Sequence, residues 1–418
     1  MTTGLTEALK SLWSRERRGY VINNRIAVFV VFALNGAAFG SWAPRMPALA
    51  ESLRAEPGTL GLALLGASVG MVLAASFCGG VVERVGARVG IAVPLLVGAA
   101  ALPVIGLAGS VAALAGVLFV LGAAVGVVDV AMNVAGVAVE RAGGKAIMPV
   151  LHAGFSVGAM LGAGGAALAA GQGWSITAHL GVVAVITALV LFAVIRSVPA
   201  TAAATAEQPA ANGKVARRPV LWLLASIALC SAIAEGGSAD WSALLLVTEH
   251  GMSQGAAALG YAAFSLAMAV ARFAGAWTQN RFGAARTLAG GSVLASVGLL
   301  LAALLPGGGY PGFVLAGAGL AAAFPIALGL AGAAGRRADG SGGEREIAFV
   351  SALAYSGFLL GPPMIGGIAQ LTSLSMSFVA VGLTTALIAP AAVAATRSLR
   401  RERVAAEEVR PVVPSGTT

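Results

Sequence analysis

The segment Asn35-Gly-Ala-Ala-Phe-Gly-Ser-Trp42 returns 199 residues later as Ala234-Glu-Gly-Gly-Ser-Ala-Asp-Trp241, each inside a long apolar run. Two further echoes keep nearly the same offset. Arg84-Val-Gly86-Ala87 matches Arg281-Phe-Gly283-Ala284 at 197 residues, and His152-Ala-Gly-Phe155-Ser-Val-Gly158 matches Tyr355-Ser-Gly-Phe358-Leu-Leu-Gly361 at 203. Gly and Ala are common in this chain, so any one match is weak. Three at almost one spacing describe a duplication. Duplicated halves related by an axis along the membrane normal, with a site between them, are a transporter design.

The surroundings of these segments are those of a membrane protein. Of 418 residues, 58% are hydrophobic and 10% charged, with a mean hydropathy of +0.90. A soluble domain carries about 25% charged residues to cover its surface. Runs such as Ile91–Leu121 and Ser175–Ile195 hold almost no charge, and in lipid they can satisfy their backbone only as helices. The 58 glycines suit helices that pack closely without a hydrophobic drive between them.

At about 20 residues per crossing, spans are predicted at 26–46, 58–80, 89–108, 110–138, 148–170 and 175–196, then at 220–245, 256–278, 287–306, 309–333, 346–370 and 374–396. The fold class is therefore an all-α membrane protein of twelve helices in two pseudo-symmetric six-helix bundles. The bundles occupy 26–197 and 220–397, separated by a polar linker at 198–219. Residues 1–25 form a basic N-terminal segment, and 398–418 read as a disordered charged tail. No small-residue cleavage site follows a short apolar stretch, so the N-terminus does not read as a signal peptide.

The net charge of +9 is distributed by topology. Basic residues gather at the N-terminus, at Arg84/Arg88, Arg141/Lys145, Arg217/Arg218, Arg281/Arg286 and Arg336/Arg337, and in the tail, all on one side of the predicted spans. The other side keeps little more than Arg45 and Arg54. The positive-inside rule then makes both termini cytoplasmic in a multi-pass protein of the cell membrane. That placement argues against nucleic-acid binding. Cys78 and Cys230 both lie within apolar runs, which disfavours a disulfide framework or a metal site, and no cofactor is expected.

Gly79-Gly-Val-Val-Glu83-Arg84-Val-Gly86-Ala-Arg88 is similar to the signature loop between helices 2 and 3 of the major facilitator superfamily. Gly275–Arg286 is its degraded second copy, with Asn280 in place of the acid. Asp129-Val-Ala-Met-Asn133, Leu151-His152-Ala-Gly-Phe155-Ser156, Ala234–Trp241 and Gly361-Pro362-Pro363 resemble an uncharacterised branch of the bacterial inner membrane grouped near the fucose permeases. The resemblance spans residues 25–396 and is silent on substrate. It implies that Gly79, Glu83, Arg84, Gly86 and Arg88 form a cytoplasmic gate. The chemistry fits: Arg84 and Arg88 can bond helix-end carbonyls and a facing helix while Glu83 fixes them. Simple topology signalling by the basic residues is the alternative.

An ionisable group at mid-membrane costs about 2.5–3.5 kcal/mol on insertion scales, so each one needs a reason. Glu235 precedes Gly236-Gly237 in helix 7, where absent side chains free backbone for a cavity; it is the first candidate to bind and release a proton. Asp129 and Asn133 share a face of helix 4, extended by Gly122, Gly126 and Gly136. Asp129 is either an interhelical hydrogen-bond clamp or a functional carboxylate. His152 and Tyr355 occupy matched positions in helices 5 and 11, as packing residues or as opposite walls of one cavity. Asn35, in the repeated segment of helix 1, joins the substrate candidates. Arg272 lies about two turns from the end of helix 8 and reads as a snorkelling structural residue. Arg45 and Asp240, at matched outer ends of helices 1 and 7, either form an ion-pair gate or are two unrelated interfacial charges solvated by headgroups.

The function expected is secondary active transport of a small polar solute by alternating access, as a monomer, with protons as coupling ion. A drug or metabolite exporter is the alternative within transport, and Gly158-Ala-Met-Leu-Gly162 matches the exporters' helix 5 motif only in part. A non-transporting sensor of the same fold is the alternative from another class. No His-Glu-x-x-His, Gly-x-Ser-x-Gly or phosphate-loop sequence supports an enzyme or ATP drive.

Overall fold

A computed structural model describes residues 23–144, 147–200, 218–336 and 342–408, with the side chains of Glu344 and of 403–408 left aside. Most of the expected N-terminal segment and of the linker, and residues 409–418 of the tail, fall outside these residues, as do Lys145, Arg217 and Arg337. Among the described residues, twelve helices long and apolar enough to cross a membrane follow one another. The first half contains α1 (Asn24–Leu53), α2 (Pro57–Phe77), α3 (Ala87–Ile105), α4 (Val111–Gly143), α5 (Met148–Gly171) and α6 (Ile176–Ser197). The second contains α7 (Pro219–Thr248), α8 (Gln254–Phe282), α9 (Ala284–Leu304), α10 (Gly309–Gly335), α11 (Arg345–Leu371) and α12 (Leu374–Glu402). Among the described residues the only β pairing is an isolated bridge between Arg336 and Gly342. The last helix continues to Glu408, so the first eleven residues of the expected tail are helical.

Local sequence sets the helix ends. Ser110, Ser175, Ser253 and Ser373 each accept a backbone N–H from three residues on, capping α4, α6, α8 and α12. All four lie on one face of the protein, called here the far face; Asn24 and Glu402 mark the opposite, terminal face. On the terminal face Gly86 (φ 82°) and Gly283 (φ 80°) open α3 and α9 with almost the same backbone conformation. A side chain at either position would be strained. The duplication read in the sequence thus extends to matched dihedral angles.

Small residues set the packing within each half. Added side-chain carbons at Gly36, Gly40, Gly158 or Gly162 would collide with backbone of the facing helix, which holds α1 against α5. Gly122 and Gly126 meet the backbone of α2 at Ala67 and Met71 in the same way. These two glycines were expected to extend the polar face of Asp129; they are instead packing contacts, because close helix approach needs absent side chains as much as a cavity does.

The halves meet where α2 packs on α11, α5 on α8, and the far end of α1 on α7 and α8. The cores show where the join lies. One cluster, including Trp42, Met46, Leu60, Trp241, Leu245 and Ile365, unites both halves towards the far face. Towards the terminal face each half keeps its own core, around Val31, Ile91 and Leu151 in one and Leu224, Ile326 and Val350 in the other. A cleft therefore separates the halves on the terminal side.

Candidate functional site

Hydrogen bonds between the halves trace the closed zone. At the far face Gln370 receives the Gly58 N–H at 3.2 Å and donates to Glu56 at 2.7 Å, while Gln254 donates to Glu51 at 3.2 Å. Deeper in, Ser68 of α2 donates to the Phe358 carbonyl of α11 at 2.7 Å. Deeper still, Arg272 of α8 donates to Ser156 Oγ of α5 at 2.7 Å. These two hydrogen bonds lie nearer the terminal face than those of Gln370 and Gln254. They form the roof of the cleft.

Arg272 is the centre of that roof. Its second terminal nitrogen pairs with Glu235 Oε1 of α7 at 3.2 Å, with side chains 14% and 24% exposed, and its Nε is enclosed without a partner. Glu235 of helix 7 and Arg272 of helix 8 thus answer one another. The snorkelling expected of Arg272 does not occur. Its position 18 residues into α8 is about 27 Å from the far end, and a helical side chain leans back towards its N-terminus, which carries the guanidinium inward to Glu235. The sequence signal was the unmatched charge of Glu235, which called for a cation at similar depth.

Other candidates gather around the cleft. His152, exposed, lies edge-on to Phe32 of α1 with ring centres 5.2 Å apart and within electrostatic reach of Arg272. Asn133 donates to the Asp129 backbone carbonyl at 2.8 Å and more weakly to its carboxylate at 3.4 Å. Asp129 is half-buried and within electrostatic reach of Tyr355, across the boundary between halves. Tyr261, buried in α8, lies in the fields of Glu235, Asp240 and Arg272.

Three expected residues are placed differently. Asn35 is buried inside the first half, its amide nitrogen on Met132 sulfur at 3.8 Å and its Oδ1 unpartnered. It borders a cavity of about 10 Å³ with Pro94, Leu121 and Thr187, on the side of α1 turned from the cleft. The register it shares with the Glu235 segment fixed its depth, while its neighbours α3, α4 and α6 fix its direction. Arg45 and Asp240 form no ion pair, although the far face is closed. Arg45 sits on a 3₁₀ turn after Pro44, and that turn directs it to the Trp174 carbonyl of its own half at 2.7 Å.

The loop after α2 folds as the short helix Gly79–Val85. Arg88 donates to the carbonyls of Arg196 and Val198, closing the end of α6 in its own half. Glu83 has a partner and Arg84 is exposed. No metal-holding group of three or more His, Cys, Asp or Glu occurs among the described residues.

Twelve apolar helices in two repeated bundles, shut at one face around a partly buried charge pair and parted at the other, define a membrane transport protein. The sequence profile of the Major Facilitator Superfamily matches residues 28–343, and the chain belongs to that superfamily. An uncharacterised MFS-type transporter of Yersinia pestis is 33% identical over 389 residues, covering 90% of this chain and 97% of the relative. An uncharacterised transporter of Sinorhizobium fredii is 36% identical over 365 residues, covering 86% and 94%. Among solved structures, a mutant of the nucleoside transporter NupG superposes with a TM-score of 0.73 at 13% identity, covering 89% of this chain and all (100%) of that one, a likeness of fold.

Proposed function

We propose that this transporter is a monomeric, proton-coupled secondary carrier of a small polar solute, working by alternating access with its terminal face in the cytoplasm of a bacterial inner membrane. The observation that carries the reading is Arg272, which binds Ser156 in one half and Glu235 in the other at the roof of the cleft. Protonating Glu235 removes the charge that pairs with Arg272. The freed guanidinium can then take a solute group or strengthen its hold on Ser156, so a proton and a movement between halves share one side chain. Asp129, Asn133, His152 and Tyr355 offer the solute hydrogen-bond partners lower in the cleft.

Alternating access further requires the terminal face to close when the far face opens. In this reading the segment carrying Gly79, Glu83, Arg84, Gly86 and Arg88 docks against the second half in that other state, with exposed Arg84 supplying the contact and Arg88 holding the segment to α6. The basic residues of the terminal face support its cytoplasmic placement.

The test begins with a thermal-shift screen of purified protein against sugars, polyols, organic acids and common drugs. A ligand at a hundred times its Kd stabilises by about 2.7 kcal/mol. With the radiolabelled hit in proteoliposomes, Glu235→Gln is expected to lose uphill accumulation under a pH gradient and to keep exchange without one. Normal accumulation by the variant would remove Glu235 from coupling.

A further inference from the structure

The far end of the first half contains a charge that the chain does not neutralise. Arg45 is 4% exposed. Its single hydrogen bond goes to the Trp174 carbonyl, and its enclosed Nε and Nη1 find no partner. No carboxylate pairs with it, since the ion pairs of the described residues involve Arg218 and Arg272. Acids of the far face are engaged elsewhere: Glu51 with Gln254, Glu56 with Gln370, and Glu249 with the Leu374 N–H. Asp240 lies on the other half and makes no ion pair with it.

A second unanswered group stands beside the first. His179, one turn into α6, is also 4% exposed, and both its ring nitrogens are enclosed without partners. It lies within electrostatic reach of Arg45. Trp174, whose carbonyl Arg45 holds, comes two residues before α6 begins at Ile176. The cap residue Ser175 covers the Ala178 N–H, and the first turn contains no acid. A guanidinium with two free donors, an imidazole with a free donor and the positive end of a 19-residue helix thus converge. Buried polar groups nearly always have partners, and a helix N-terminus favours a negative one.

We infer that a small inorganic anion, of chloride size, binds between Arg45, His179 and the N-terminus of α6. It receives hydrogen bonds from Arg45 Nε and Nη1 and from the imidazole, and it neutralises the guanidinium while the far face is shut. The site is separate from the cleft and stands whether or not Glu235 couples protons.

The probe is halide itself. Purified protein is unfolded thermally in detergent with chloride, bromide or gluconate at constant ionic strength. Chloride and bromide are expected to raise the midpoint over gluconate in a saturable way. Arg45→Gln should weaken the halide affinity about tenfold or more, as expected for lost hydrogen bonds to a charged group. His179→Phe should weaken it to a lesser degree. If either variant fails to fold, crystals of the unaltered protein grown in bromide decide the matter through an anomalous peak within hydrogen-bond distance of Arg45. Equal midpoints in all three salts, or ordered water with no bromide at that position, would overturn the inference.

Discussion

Arg272 and Ser156 are joined at 2.7 Å across the boundary between the two halves, and the same guanidinium holds Glu235 at 3.2 Å. One side chain therefore reports on both the packing of the halves and the charge of the site. Removing Arg272 leaves Glu235 partly buried without its cation, whereas removing both charges leaves no unpaired charge. Arg272→Met is expected to destabilise the protein by about 1–3 kcal/mol. Adding Glu235→Gln should recover part of that loss. Thermal unfolding in detergent of the two single variants and the double variant measures the coupling, and strict additivity would show that the pair contributes nothing.

The two roof contacts make a separate prediction about conformation. Ser68 and Ser156 each donate or accept one hydrogen bond between halves, at the inner limit of the closed zone. Their loss weakens the state with the far face shut and leaves the folding of each half untouched. Ser156→Ala, which removes a partner of a charged donor, should shift the equilibrium towards far-face opening by about 1.5–3 kcal/mol. Ser68→Ala should shift it by about 0.5–1.5 kcal/mol. Alkylation of a cysteine placed at Leu60, enclosed at the far-face join, reads the shift. No increase over the parent cysteine variant in either case would mean the roof does not set the balance.

Much of this architecture was legible in the sequence, for physical reasons that also explain the failures. A span needs a continuous apolar stretch, so all twelve helices could be placed from composition and length. The duplication was visible because Gly86 and Gly283 must take a conformation that other residues resist. Directions of side chains were not legible. Asn35 and the Glu235 segment share a register, yet one helix face turns to its own bundle and the other to the cleft. Arg45 and Asp240 lie at matched depths, but the 3₁₀ turn after Pro44 rotates one away from the other. Arg272 was underestimated because its distance to the membrane edge was considered without its distance to Glu235.

The corrected position of Asn35 predicts a nearly silent variant. Its Oδ1 is enclosed without a protein partner, beside a cavity of about 10 Å³, roughly one water in size. Asn35→Leu replaces a buried amide by an apolar group of similar volume among Leu95, Leu121 and Val128. The change should be neutral or stabilising by up to about 1 kcal/mol, with transport of the screened ligand preserved. A loss of transport at unchanged stability would return Asn35 to the solute site.

The matched glycines allow a prediction that tests the duplication as mechanics. Gly86 and Gly283 open α3 and α9 at φ 82° and 80°, each after a helix that ends beside it. Alanine at either position must adopt a backbone conformation that costs about 1–2 kcal/mol. The surroundings differ, however. An added carbon at Gly86 also meets the Ala200 carbonyl, whereas nothing lies within 4 Å of the same position at Gly283. Gly283→Ala should therefore show the conformational cost alone, and Gly86→Ala that cost plus the displacement of the chain after α6. That chain carries the Val198 carbonyl bound by Arg88, so the larger effect should be accompanied by greater proteolytic access at residues 198–200. Unfolding midpoints and limited proteolysis of the two variants provide the comparison. Equal destabilisation with no change in cleavage would show that Gly86 acts only through its dihedral angle and that the loop after α2 is independent of the end of α6.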